Sequence, residues 1–213
     1  MPVGNNSTVA KPGSRLRELG LVLPKPPSPL GAYVEASQVG SLLFLSGTLP
    51  LVNRKLAISG RLGANLSVDE GREAARLAAL NALAAAQEHV GDLDRLKKLV
   101  KLSVLILTTE QFVEHAAVAD GASNLFVQFF GAQAGHVRVV YGVHSAPIGA
   151  PVMVETEFEI ESPELKAQEE TMSKWTETEI ARRLSYPIQG PFGRGGSSAL
   201  PSARWRPWFV WGE

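Results

Sequence analysis

The chain has 213 residues, 45% of them apolar, with 21 basic against 21 acidic side chains and no cysteine. That length fits one ordinary domain plus an appendage, and the balanced charge leaves no bulk attraction to nucleic acid or an anionic membrane surface. Without cysteine there is neither disulfide nor thiolate chemistry, which fits a reducing, cytoplasmic location. No apolar run approaches the roughly 20 residues of a membrane-spanning helix.

The first 13 residues are small and polar and are predicted to fray. They carry one lysine and no apolar stretch of the kind a secretory signal needs. Residues 14–19 predict one or two helical turns stopped by Gly20. Pro24, Pro26, Pro27 and Pro29 then forbid a regular helix and favour an extended path along the surface. Residues 1–30 are read as a leader. Residues 33–36 are strand-like, and 41–45 form an apolar strand closing at Ser46-Gly47. Another strand follows over 56–59, after a turn at Asn53. The unbroken apolar run at 42–45 predicts burial on both faces, under helices on one side and a neighbouring subunit on the other.

Ser67-Val68-Asp69-Glu70 is a capping box opening an alanine-rich helix that Gly91 closes. Residues 92–98 are a charged connection, and 99–107 are the strongest strand. Thr108-Thr109-Glu110-Gln111 reads as a second capping box, predicting a helix over 109–130. Gly121 in its middle costs about 1 kcal/mol against alanine and marks close packing or a break. Residues 137–143 are rich in β-branched and aromatic residues, and Pro147, Gly149 and Pro151 punctuate a turn. Residues 152–160 alternate, placing Val152, Val154, Phe158 and Ile160 on one face and Met153, Glu155, Glu157 and Glu159 on the other. The order β-β-β-α-β-α-β-β predicts an α+β domain, with helices on one face of a mostly antiparallel sheet. Residues 162–213 form a C-terminal extension holding all four tryptophans and five prolines. It includes a helix candidate at 173–184 and a glycine-rich stretch at 190–198. That stretch lacks the lysine and following helix of a phosphate loop.

His89, His115, His136 and His144 show no metal-ligand spacing, so no metal is expected. Arg138 is the residue out of place, a guanidinium inside a run of valines. It is either an arginine on a solvated strand face or an anion-binding fork gripping a carboxylate bidentately.

Three stretches share one further pattern. Arg138 is followed nine residues later by Pro147, and then by Val152-Met153-Val154-Glu155. Gly31-Ala32-Tyr33-Val34 precedes Ser46-Gly47 by a fixed interval. Residues 118–125, V-A-D-G-A-S-N-L, lead to Phe130-Gly131. In this order and spacing, over about residues 13–161, they resemble the Rid (reactive intermediate deaminase, or YjgF) family. The nearest likeness is to its longer branch, often labelled endoribonuclease L-PSP-like. The resemblance implies a chorismate-mutase-like fold for residues 31–161, with two helices on one face of the sheet. It also implies a homotrimer with clefts between subunits. The implied reaction is hydrolysis of a 2-imino or enamine acid to a 2-keto acid and ammonia, with no cofactor.

Carried over residue by residue, Arg138 would hold the substrate carboxylate, with Tyr33, Ser46, Gly47, Ser123 and Val140 lining the cleft. Met153 stands where characterised deaminases carry a water-positioning glutamate. Glu155 matches the next acidic position and is the candidate catalytic carboxylate beside Arg138. The alternatives are a non-catalytic trimeric binder of a small carboxylate and an RNA-cleaving protein; the neutral charge weighs against the latter.

Overall fold

The computed structural model describes residues 11–162, which belong to one compact unit. The readings made for residues 1–10 and for the tryptophan-bearing tail lie outside those residues. The described chain runs α1 (Pro12–Glu18), β1 (Ala36–Val39), β2 (Leu42–Thr48), β3 (Leu51–Val52), β4 (Lys55–Leu56), α2 (Val68–Val90), β5 (Leu96–Leu107), α3 (His115–Phe130), β6 (Val137–Val143) and β7 (Val152–Ile160). Five strands form one sheet in the order β1-β2-β7-β5-β6; β5 and β6 are parallel and the other pairs antiparallel. The β3–β4 hairpin stands apart. The expected α+β architecture is therefore present, with the short α1 added ahead of it.

The alternation in β7 divides the sheet into two faces. Val152, Val154, Thr156, Phe158 and Ile160 are buried toward the helices, while Met153, Glu155, Glu157 and Glu159 point the other way. Each neighbouring strand follows the same phase. Leu102, Val104 and Ile106 of β5 face the helices, and Leu43 and Leu45 of β2 join them in the core. Phe126, Phe130 and Phe158 meet there, with Phe126 and Phe158 ring centroids 5.8 Å apart, edge to face. The opposite face is open in the single chain. It carries Leu42 and Phe44, each 37% exposed, and the half-exposed Tyr141. The expectation of burial on both faces is thus met on the helix side alone within one chain.

Helix α2 begins as the capping box dictates. Glu70 N–H donates to Ser67 Oγ at 3.2 Å, and Glu70 Oε2 accepts from Ser67 N–H at 2.8 Å. The Ser67 N–H and, at 2.8 Å, the Ser67 hydroxyl donating to Glu70 Oε2 lower the Glu70 carboxyl from its ordinary value. Alanines at 74, 75, 78, 79, 82, 85 and 86 keep the buried side of α2 thin. Helix α3 can then approach closely. At Gly121 an added Cβ would overlap the Arg72 carbonyl oxygen of α2, so the glycine marks close packing rather than a break.

Several elements differ from expectation: the strand read over 56–59 is absent, β4 ending at Leu56, and β5 begins at Leu96 rather than 99. Helix α3 starts at His115, not near Thr109, and Glu114 caps it without a side-chain bond. The Thr108–Gln111 stretch caps nothing because its backbone is used elsewhere. Thr108 N–H donates to Val143 O and Thr109 N–H to Leu62 O, and Glu110-Gln111 then turn, with Phe112 N–H donating to Thr109 O. Strand β1 runs over Ala36–Val39 rather than 33–36. It turns into β2 through Gly40, whose φ of 58° suits a two-residue hairpin.

Gly121→Ala should lower unfolding free energy by about 1–3 kcal/mol or more, because the obstacle is backbone rather than a movable side chain. Denaturant unfolding monitored by circular dichroism would measure it. Ser67→Ala should cost about 1 kcal/mol at neutral pH. Since Glu70 titrates lower in the folded chain than unfolded, the capping-box contribution is present above the ordinary carboxylate pKa. It is lost as pH falls through the folded value. The gap between Ser67→Ala and wild type should therefore shrink in acid, as urea melts across pH would show.

Candidate functional site

The residues singled out in the sequence gather into two groups. The first is a cavity of about 370 Å³ lined by Tyr33, Ser46, Gly47, Pro147 and Met153. Its walls are tied by backbone contacts. Ser46 Oγ donates to Val34 O at 2.7 Å, and Tyr33 Oη accepts from Leu30 N–H at 3.0 Å. Gly47 lies against Met153: a Cβ at 47 would come 2.5 Å from the Met153 sulfur, so the methionine would have to shift. Met153 sits opposite Leu105 in the sheet register, on the open face. Glu155 lies on the same face opposite Ser103, exposed, its charge acting on Lys101. Farther along that face Lys101 reaches Glu157 at 3.1 Å, and Lys98 reaches Glu159 at 3.1 Å. The Glu157 hydrogen bond pushes the Lys101 ammonium up.

The second group surrounds Arg138. In the register Arg138 lies beside Leu102 and Val140 beside Val104, so both face the helices. The Arg138 Nη1 donates to Asp120 Oδ1 at 2.7 Å and to Ser123 Oγ at 3.0 Å. His136 Nε2 is 3.1 Å from the same hydroxyl, and its Nδ1 is 2.9 Å from Ala134 O. A carbonyl can only accept, so Nδ1 carries the proton and Nε2 accepts from Ser123. The chain Arg138, Ser123, His136, Ala134 O is satisfied at every step. The other edge of the guanidinium, Nε with Nη2, has no partner among the described residues, although the side chain is only 25% exposed. That edge is the side-on fork that matches a carboxylate.

Asp120 is the member sequence reasoning missed. Its signal was the spacing on α3. Asp120 and Ser123 are three apart and share a face, and that face meets β6 because Gly121 seats α3 against α2. Arg138 is neither solvated on an outer face nor wholly free, since one of its nitrogens is held by a carboxylate and a hydroxyl. The two groups do not share a pocket within one chain: Arg138 and Val140 are on the helix face, Met153 and Glu155 on the open face.

Among the described residues no group of three or more His, Asp or Glu side chains could hold a metal ion, and no helix is long and apolar enough to cross a membrane.

Comparison with known proteins agrees with this architecture. Residues 13–159 match the family model described as "YjgF/chorismate mutase-like, putative endoribonuclease". The chain is 40% identical over 148 residues to Protein TCP17 of Trypanosoma cruzi, covering 69% of this chain and 92% of that one. A crystal structure titled as a "putative endoribonuclease" from Shewanella oneidensis is 36% identical, with a TM-score of 0.68. The match covers 71% of this chain and all of that one. A protein of unknown function from Agrobacterium tumefaciens is 35% identical with a TM-score of 0.63, over 69% and 91% of the two chains. The chain belongs to the YjgF-like family.

Asp120→Asn should cost under about 1 kcal/mol of stability, because the ion pair with Arg138 is partly exposed. Urea melts of the two proteins would measure the difference.

Proposed function

We propose that this protein hydrolyses a reactive 2-imino or enamine acid to a 2-keto acid and ammonia, in a homotrimer whose clefts lie between subunits. The observation that carries this reading is the Nε–Nη2 edge of Arg138, which has no partner among the described residues on a side chain 25% exposed. A substrate carboxylate completes that fork with two charge-assisted hydrogen bonds. Asp120 and Ser123 fix the opposite side of the guanidinium, so little conformational freedom is lost on binding. Because Tyr33, Ser46, Gly47 and Met153 face away from Arg138 within a chain, a ligand touching both groups spans two chains.

In the reaction, water adds through oxygen to the iminium carbon and gives up a proton. The C–N bond of the resulting carbinolamine then breaks, releasing ammonia and leaving the 2-keto acid. The iminium is already electrophilic, so holding substrate and water together supplies the main acceleration. Glu155 is the residue proposed to accept the water's proton. It lies two residues past Met153 on the same strand face, about 7 Å along.

A second reading, a carboxylate binder without hydrolysis, has an observation of its own. Met153 packs over Gly47 and puts a thioether where the first cavity would need a carboxylate. The balanced charge gives no support to an RNA substrate.

Titration with 2-ketobutyrate, read by calorimetry, tests the shared anion grip. Arg138→Ala should weaken binding by about 2–5 kcal/mol, and Arg138→Lys nearly as much, because an ammonium is a point charge. Equal affinity in wild type and Arg138→Ala would remove the assignment. Ammonia release from an imine generated in place then separates the two readings. Turnover that disappears in Glu155→Gln supports hydrolysis; binding without turnover supports the binder.

A further inference from the structure

A different cavity, of about 330 Å³, lies between the proline-rich segment at 25–30, the β3–β4 hairpin and α2. We propose that it binds a small carboxylate-bearing molecule with an aliphatic body and an N–H or O–H donor, of the α-amino or α-hydroxy acid type.

The polar anchor is Asn81 of α2, only 2% exposed. Its Nδ2 donates to three backbone carbonyls, those of Leu49 at 3.2 Å, Leu51 at 3.0 Å and Leu77 at 3.0 Å. Carbonyls only accept, so these contacts fix the amide's orientation. Asn81 Oδ1 is left with no donor among the described residues. It is not sealed in either, because the wholly enclosed side-chain oxygen without a partner is Thr156 Oγ1. Asn81 itself lines the cavity. A buried acceptor whose amide nitrogen is fully committed calls for a ligand donor or a water.

Backbone strain converges on the same cavity. Asn53, Arg54 and Ile148 are the non-glycine residues with positive φ among the described residues, at 51°, 65° and 50°. All three line it. For a β-branched isoleucine this conformation is a genuine outlier, and such strain gathers at ligand-contacting positions. At Arg54 a glycine would take the hairpin turn without cost; the chain carries a guanidinium there instead. Arg54 and Lys25 border the cavity with no carboxylate partner among the described residues, which selects an anion. Leu30, Leu51 and Ile148 supply the apolar wall. The cavity shares Leu30 with the one beside Met153 but contains none of the residues assigned to the reaction.

Protein-observed NMR titration with leucine and with its 2-keto counterpart tests this on the full chain. Leucine should shift Asn81 and Leu51 resonances and saturate by about 10 mM. The keto acid, which lacks a donor for Asn81, should leave them in place. Combining Lys25→Ala with Arg54→Gly should weaken leucine roughly fivefold or more. Relief of strain at position 54 should at the same time raise the melting temperature, which shows that the variant is folded. Arg138→Ala should leave leucine binding intact, so a failure of the proposed reaction and a failure of this site are told apart. The proposal is overturned if leucine moves nothing near Asn81, if the double variant binds it unchanged, or if its binding is lost with Arg138.

Discussion

The two-residue alternation of β7 is the constraint on which the rest of the molecule depends. The strand lies at the centre of the five-stranded sheet, and its register with β2 and β5 transmits its phase to both. A slip by one residue would turn Val152, Val154 and Phe158 out of the core and Glu155 and Glu157 into it, at a prohibitive desolvation cost. Because that phase is fixed, Met153 and Glu155 must stand on the open face. Because β6 runs parallel to β5 in register, Arg138 must stand on the helix face. The division of the candidate site into two groups is a consequence of sheet geometry.

The second dependence is the contact between α2 and α3. Alanines thin one helix and Gly121 lets the other settle against the Arg72 backbone. Asp120 and Ser123 flank that glycine and so reach Arg138 from above β6. Packing and electrostatics are coupled here. A larger residue at 121 would lift α3 and with it the carboxylate and hydroxyl that hold one side of the guanidinium. The other side of the guanidinium has no partner among the described residues.

Much of this was legible in the sequence because it rests on local rules. The capping box at Ser67, the stop at Gly91 and the phase of 152–160 each follow from residues within a few positions of one another; whether Gly121 marked close packing or a break needed the distant Arg72 backbone. The failures share a cause as well. Thr108–Gln111 has the letters of a cap, but its N–H groups are spent on Val143 and Leu62, partners far away in the chain. Asp120 was passed over because its partner is eighteen residues away on another element. The separation of Arg138 from Met153 needed the parallel pairing of β6, which no local pattern announces. The cavity at Asn81 was equally invisible, since an asparagine within an alanine-rich helix gives no sign of which carbonyls will claim its amide.

Two faces of one sheet carry the residues proposed to hold a single ligand, and the open face leaves Leu42, Phe44 and Tyr141 partly exposed. Both facts fit the threefold arrangement proposed above. The most direct measurement is the solution mass by multi-angle light scattering at micromolar concentration. A particle of three times the chain mass is the result the account predicts. A stable monomer would contradict it, since Arg138 and Met153 would then have no shared cleft.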